Sequence, residues 1–319
     1  MTNTSKQNSA SRISTAEPDG VLILDKPAGI TSHDCVSKIR RLYHTKKVGH
    51  TGTLDPMATG VLPILLGRAA KAAEYVTAED KHYLCTLRLG MTTDTEDTTG
   101  TVVTTSDNIP EEADVRHVIS SFVGEIMQVP PMYSALKVNG QKLCDLARQG
   151  ITVERTPRPV TIHSLVCTNL DAYTYSLDVR CSKGTYIRTL CADIGASLGC
   201  GGCMASLRRC GSGSFTLSQA HTLEALEAMS DAERIALLLP TESLFQGLPE
   251  LHLPAFYERL CANGQEIYLE KLYGKNNRIP YTSGQRVRLI GEQKGFFALG
   301  EVGIYPGGTA VKAVKLFVL

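Results

Sequence analysis

The stretch from Gly49 to Pro63, GHTGTLDPMATGVLP, constrains this chain more than any other. Three glycines, two prolines and three threonines surround one carboxylate, Asp55. Glycine opens backbone geometry closed to other residues, and Pro56 has no amide hydrogen to donate. The stretch is therefore a shaped loop rather than a helix or strand. Such a loop can hold a side chain toward a ligand. On composition alone, an ordinary turn-rich connection with Asp55 capping a backbone amide is the plainer reading.

Charge around the loop is uneven. The chain's formal net charge is only +1, so its total field does not announce a nucleic-acid partner. Between Asp25 and Lys71, however, eight basic residues (Lys26, Lys38, Arg40, Arg41, Lys46, Lys47, Arg68 and Lys71) stand against three acids. From Asp94 to Asp114 there are seven acids and no Lys or Arg. A basic region beside an acidic one fits phosphate contact on one face, and a solvated mixed surface is the plainer alternative.

Several function classes drop out. Apolar runs such as Ile235–Leu239 are too short to span a bilayer, so no membrane association is expected. The polar N-terminus, with Lys6 and Arg12, lacks the apolar core of a secretory signal, which leaves the cytoplasm as the expected location. The ten cysteines are scattered through apolar patterns and are expected as reduced, buried thiols. Cys200 and Cys203, with Cys210 nearby, lack the second ligand pair that structural zinc requires, so no metal is expected. There is neither a Rossmann fingerprint nor a P-loop, and no cofactor is expected.

At 319 residues the chain has room for about two domains. Residues 1–18 are polar, without periodicity, and are expected to be a disordered tail. Val21–Leu24 reads as a buried strand, Ser32 as a helix N-cap, and Val36, Ile39 and Tyr43 as the apolar stripe of that helix. Leu62–Leu66 is a further apolar run, with a helix expected from Gly67. Tyr83–Leu89 alternates as a strand does, and Thr92–Thr105 is a loop or ragged hairpin. Pro110 and its acids open a helix; Leu143–Gln149 reads as a short one stopped by Gly150. Two strands, Val160–Thr168 and Tyr175–Cys181, precede a helix striped by Ile187, Leu190, Cys191, Ile194 and Leu198. Two helical segments lie between Leu217 and Leu239. The texture changes after Pro240, and alternating runs at Val287–Ile290, Phe296–Leu299 and Ala313–Val318 suggest a small β-rich unit.

Four motifs in one order, DKPAG at Asp25–Gly29, the loop itself, KHY at Lys81–Tyr83 and SKGTYIRT at Ser182–Thr189, strongly resemble the TruB family. These are bacterial enzymes that make pseudouridine in the T loop of tRNA. The likeness runs from about Gly20 to about Gly211, with a looser one to a small PUA-like module near the C-terminus. The resemblance implies an α+β fold with a central, mainly antiparallel sheet. It divides the chain into a catalytic domain over residues 19–245, with an RNA-contacting insertion at about 124–158, and a PUA-like domain over 250–319. Basic residues of that insertion are Lys137, Lys142, Arg148, Arg155 and Arg158.

Carried over residue by residue, the resemblance makes Asp55 the catalytic carboxylate and Arg188 its cationic partner. An ionised carboxylate in a partly dry pocket needs such a cation, because burial alone raises its pKa. Tyr83 corresponds to the tyrosine that stacks on the flipped base, a platform worth about 1–3 kcal/mol per base. Tyr186 and Leu207 correspond to pocket-lining positions, with plain core packing as the alternative. His50 corresponds to the residue inserted where the uridine leaves the stack. Lys26 either braces the loop or meets phosphate. The implied function is cofactor-independent isomerisation of the T-loop uridine by base flipping, with the tRNA T arm as partner and a monomer needing no obligate protein partner. Two rivals remain: the similar guide-RNA-dependent relative, and a non-catalytic RNA-binding or tRNA-chaperone module.

Overall fold

The computed structural model describes residues 17–76, 79–138, 140–274 and 279–318. Most of the expected N-terminal tail, residues 1–16, lies outside the described residues. The chain opens with β1 (Gly20–Lys26) and α1 (Ser32–Leu42), then β2 (Val48–His50) and β3 (Thr59–Leu66). These two strands take up both ends of the stretch Gly49–Pro63, expected as loop throughout, because pairing of β3 with β1 and β2 draws its ends into the sheet; the Gly-rich loop is left between His50 and Thr59. A 3-10 helix at Gly67–Ala72, rather than an α-helix, follows. Next come β4 (Lys81–Leu89), the hairpin β5 (Met91–Thr93) and β6 (Val102–Thr105), α2 (Glu112–Ser121) and β7 (Gly124–Gln128). The small hairpin β8 (Lys137–Val138) and β9 (Gln141–Lys142) leads into α3 (Leu143–Arg148). The long strands β10 (Arg158–Asn169) and β11 (Thr174–Cys181) precede α4 (Ile187–Ser197). Then follow β12 (Gly202–Ser212), β13 (Phe215–Thr216), α5 (Leu223–Ala228) and α6 (Asp231–Ala236). The C-terminal part holds β14 (Glu250–Leu253), α7 (Ala255–Ala262), β15 (Ile267–Tyr268), α8 (Leu269–Tyr273), β16 (Arg286–Gly291), β17 (Gly295–Tyr305) and β18 (Gly308–Leu316).

Nine strands form one mixed sheet in the order β1-β3-β12-β4-β11-β10-β7, with β2 beside β3 and β13 beside β12. All its described pairings are antiparallel except β3 with β12. A second sheet runs β14-β16-β17-β18-β15. The fold is thus α+β with a mainly antiparallel central sheet and a smaller β-rich unit after it.

Side chains alternate across the central sheet, and so do its cores. On one face, Leu22 and Leu24 of β1 and Leu62, Ile64 and Leu66 of β3 pack with Val36 and Ile39 of α1 and Leu190 and Ile194 of α4. On the other, Val21, Ile23, Val61 and Leu65 meet Phe245, Leu299 and Phe317. β1 and β3 are therefore nearly continuous apolar runs because both their faces are covered. The Phe245 ring, at the end of the 3-10 helix Thr241–Phe245, lies 5.6 Å from that of Phe317 and 5.9 Å from that of Phe296, so this helix joins the C-terminal unit to the back of the central sheet.

Two departures from the sequence reading bear on the site. Ser32 is not the N-cap of α1. Thr31 is, in a capping box with Asp34, and Ser32 is left inside the first turn with its hydroxyl available for another duty. The strand β12, at the centre of the sheet, went unread. Its segment GCMASLRRCGS carries two adjacent arginines and bulges at Met204/Ser206 and Arg209/Gly211, which break the alternation that announces a strand. All ten cysteines are free thiols.

The parallel contact of β3 with β12 depends on Gly60, which has φ +103° and lies against Arg209. A Cβ there would sit 2.2 Å from the Arg209 carbonyl oxygen, which belongs to backbone and cannot swing aside. Gly60→Ala is expected to cost roughly 3 kcal/mol or more, read from the urea midpoint. Gly124 also has positive φ but faces open space, so Gly124→Ala should cost only about 1 kcal/mol. Equal losses in the two variants would show that the close approach to β12 is not what requires glycine.

Candidate active site

The loop carrying Asp55 is strapped from beneath on both sides of that residue. Ser32 Oγ accepts from Leu54 N at 2.9 Å and donates to Leu54 O at 3.1 Å, which is the duty its place in the first turn of α1 allows. Gly29 N donates to Pro56 O, and Ala58 N to Asp55 O. The amine of Lys26 donates to Ala58 O (2.7 Å), Pro27 O (2.9 Å) and Pro56 O (3.1 Å). Lys26 is fully buried, and burial pushes its pKa down. Its three donors are spent on the loop, so of the two roles open to it the structure favours the brace; it does not reach out to phosphate.

A second buried cation holds the loop's other limb. Arg209, from the strand the sequence reading missed, is 1% exposed. Its Nε donates to Val61 O at 2.6 Å and its Nη2 to Gly52 O at 2.9 Å. Gly52 is required where it is: φ is +64°, and a Cβ would come within 3.2 Å of Arg209 Nη1. Lys81 lies alongside, donating to Glu79 O, and burial, followed by repulsion from Arg209, pushes it down to about 8. No pattern in the sequence marked Arg209; its place opposite Tyr83 and Gly60 in the sheet brings its side chain to the carbonyls it holds.

The strapped loop presents Asp55 to Arg188. Arg188 Nε donates to Asp55 Oδ2 at 2.9 Å and Nη2 to Oδ1 at 3.4 Å, a two-pronged contact. The guanidinium is further fixed by Nη1 to Thr95 O (3.0 Å) and Nη2 to Tyr133 O (2.7 Å). The Arg188 side chain is 5% exposed and that of Asp55 34%, so the cation is buried and the carboxylate looks outward from it. Asp97, itself buried, places Oδ2 3.9 Å from Arg188 Nε and is held through Oδ1 by Thr95 and Thr99. The acidic stretch that followed the basic one in sequence thus supplies a second carboxylate, which the sequence reading did not single out.

The other expected residues gather around this pair to different degrees. Tyr83 is buried on β4; burial raises its phenol's pKa, with Arg209 opposing and Asp55 adding to the rise. Tyr186 immediately precedes α4. Gln128 clamps its backbone, donating from Nε2 to Tyr186 O and accepting at Oε1 from Tyr186 N. Burial raises the Tyr186 phenol too, and Asp55 is again close enough to contribute. Leu207 lies opposite Cys85 on β12 and shares a core with Leu54 and Tyr83. His50, at the start of the loop, has its pKa lowered by burial, then by Arg209 and His33; its Nδ1 is buried with no hydrogen-bond partner among the described residues. Lys137, Lys142, Arg148 and Arg158 are exposed, while Arg155 is tied to Pro130 O. Among the described residues no group of His, Cys, Asp and Glu could hold a metal ion, Cys200, Cys203 and Cys210 included.

Comparison with known proteins identifies the family. Residues 40–187 match the model described as TruB family pseudouridylate synthase (N terminal domain). Residues 188–246 match the tRNA pseudouridylate synthase B C-terminal domain. A protein of Aromatoleum aromaticum named tRNA pseudouridine synthase B is 44% identical over 89% of this chain and 88% of its own length. One of the same name from Clostridium kluyveri is 44% identical over 94% of this chain and all of its own. Among solved structures, a chain of a Cbf5-Nop10-Gar1 complex superposes with a TM-score of 0.72 at 26% identity, covering 94% of this chain and 85% of that one.

Two measurements test the scaffold. Lys26→Met should lose roughly 3 kcal/mol of stability, because three carbonyls lose their buried donor. It should leave the salt dependence of RNA binding unchanged; a slope lowered by about 0.7–0.9 would mean that Lys26 meets a phosphate after all. Asp193 on α4 is pushed up to about 6 by burial and then by Glu96. Its folded pKa is above the unfolded value of about 3.9, so its stabilising contribution is full below about pH 4 and lost as pH rises through 6. Asp193→Asn should therefore stabilise the protein at pH 8 by roughly 1 kcal/mol, allowing for partial exposure, and by nothing at pH 4. A gain of equal size at both pH values would remove the titration as its cause.

Proposed function

This chain belongs to the TruB family of pseudouridylate synthases, and from that premise we propose that it isomerises the T-loop uridine of tRNA to pseudouridine, with Asp55 as the reacting carboxylate. The observation that carries the reading is the two-pronged seat of Asp55 on a buried guanidinium, with the carboxylate a third exposed and Tyr83 and Tyr186 in its electrostatic reach. The reaction breaks the bond from ribose C1′ to N1 and forms one from C1′ to C5, while the C5 hydrogen is lost and N1 gains a proton. Atoms balance within the uridine, and no oxidant or reductant is consumed.

The side chains divide the work. Arg188 keeps Asp55 oriented, so that the carboxylate can attack either base or ribose without first finding its position. A uridine must leave its stack to reach this carboxylate. Tyr83 then offers an aromatic face to the uracil, Tyr186 and Leu207 line its pocket, and His50 occupies the gap left in the RNA. Exposed basic residues around the loop, Arg41 and Lys46 among them, and Lys137, Lys142 and Arg148 of residues 124–158, meet the phosphates. We assign the catalytic unit to residues 19–245 and an accessory RNA-binding role to residues 250–319. A tRNA substrate calls for action in the cytoplasm. The identity of about 44% to proteins named tRNA pseudouridine synthase B supports an enzyme acting alone as a monomer over one working within a guide-RNA particle.

Asp55→Asn should abolish tritium release from tRNA labelled at uridine C5, by at least about a thousandfold, while tRNA affinity stays within about threefold. One carboxylate performs the chemistry, whereas many contacts share the binding. Substantial turnover by the variant would remove Asp55 as the reacting group.

A further inference from the structure

Glu96 carries a second, unassigned part of the site. It is one of two non-glycine residues with positive φ among the described residues, at +64°. A left-handed conformation costs a side chain of this kind about 1 kcal/mol or more, a cost glycine would avoid. A side chain there therefore implies something gained from it. Its carboxylate accepts from Thr189 Oγ1 at 2.6 Å, and Thr189 is buried. Thr189 is the residue after Arg188 in the first turn of α4. The neighbours of Glu96 are the two residues of this segment that touch the guanidinium: Thr95 through its carbonyl and Asp97 through its carboxylate.

Besides the Arg188 bond to Thr95 O, the backbone of the segment is tied on its far side. Met204 N donates to Glu96 O at 3.0 Å and Thr98 N to Met204 O at 3.0 Å, fastening it to β12. Thr189 to Glu96 is the side-chain bond that fastens it to α4 independently of Arg188. Two carboxylates compete for Arg188: Asp55 on the loop, and Asp97 on this segment. As placed, Arg188 Nε is 2.9 Å from Asp55 Oδ2 and 3.9 Å from Asp97 Oδ2.

We propose that Glu96 is a positioning residue for the isomerisation: by holding Thr189, it locks the Thr95–Asp97 segment to α4 at the distance that leaves Arg188 facing Asp55. The carboxylate gains from lying at the first turn of a helix, where amide dipoles favour negative charge. Burial raises its pKa above the ordinary carboxylate value, and the Thr189 hydroxyl and the Arg188 charge oppose that rise without cancelling it. The inference rests on the functional reading above.

The test is single-turnover tritium release with enzyme in excess over C5-labelled tRNA, together with tRNA affinity and thermal melting. Glu96→Ala and Thr189→Val should each slow the chemical step by about tenfold with tRNA affinity unchanged, because a misplaced guanidinium weakens orientation and not RNA contact. Thr189→Ser, which restores the hydroxyl, should return the rate to within about twofold of the parent. The double variant should be no slower than the slower single variant, since both remove one tie. Wild-type rates in Glu96→Ala and Thr189→Val, or losses that multiply in the double variant, would overturn the proposal. If Glu96→Ala does not fold, Thr189→Val against Thr189→Ser decides alone: equal rates in those two refute the tie. A wild-type protein that binds tRNA yet releases no tritium would instead refute the functional reading.

Discussion

One buried guanidinium has to satisfy several partners that come from distant parts of the chain. Arg188 meets Asp55 from the Gly-rich loop, Thr95 and Asp97 from the acidic segment after β5, and Tyr133 from the irregular stretch after β7. An unpaired charge at 5% exposure would be prohibitively costly, so each of these segments is held where it is partly by the need to neutralise and hydrogen-bond this one group. The dependence runs both ways. Asp55 is poised only because its cation cannot drift, and the cation is tolerated in the interior only because the loop delivers a carboxylate to it.

The loop in turn relies on two further buried cations, neither of which touches Asp55. Lys26 gathers the carbonyls beneath Pro56 and Ala58, and Arg209 gathers those of Gly52 and Val61. A loop rich in glycine and proline forms few hydrogen bonds of its own, and its carbonyls would otherwise lie unpaired against the sheet. Positive charge therefore serves two purposes in this region. Inside, it replaces the missing ladder of backbone bonds; outside, on residues such as Lys46, it remains available to solvent. The local basicity that looked like a phosphate-binding signature was thus in part a structural requirement, and the sequence had no means of separating the two.

Much of this site was legible because motif order carries information that composition does not. Asp55, Tyr83, Tyr186, Arg188 and His50 fall in stretches whose residue types are too specific to recur by chance in one order. The elements around them were also readable, since β1 is a short continuous apolar run and β4 and α4 have clear periods of 2 and 3.6. Glu96, Asp97, Gln128 and Arg209 were not, although each contacts a residue of the candidate site or the loop that carries Asp55. Each works through a partner far away in sequence: Glu96 through Thr189, Asp97 through Arg188, Gln128 through the backbone of Tyr186, Arg209 through Gly52 and Val61.

Local pattern by itself determined the shaped turn around Asp55, the buried strand β1 and the helix that carries Arg188, because backbone preference and hydrophobic period are properties of neighbouring residues. Tertiary structure alone decided that Lys26 braces instead of reaching outward, that Thr31 and not Ser32 caps α1, and that the double-arginine segment Gly202–Ser212 lies at the centre of the sheet. In each of those cases the outcome depends on whether a polar group finds a partner in the interior. That partner is supplied by chain folded from elsewhere, and it leaves no trace in the residues on either side.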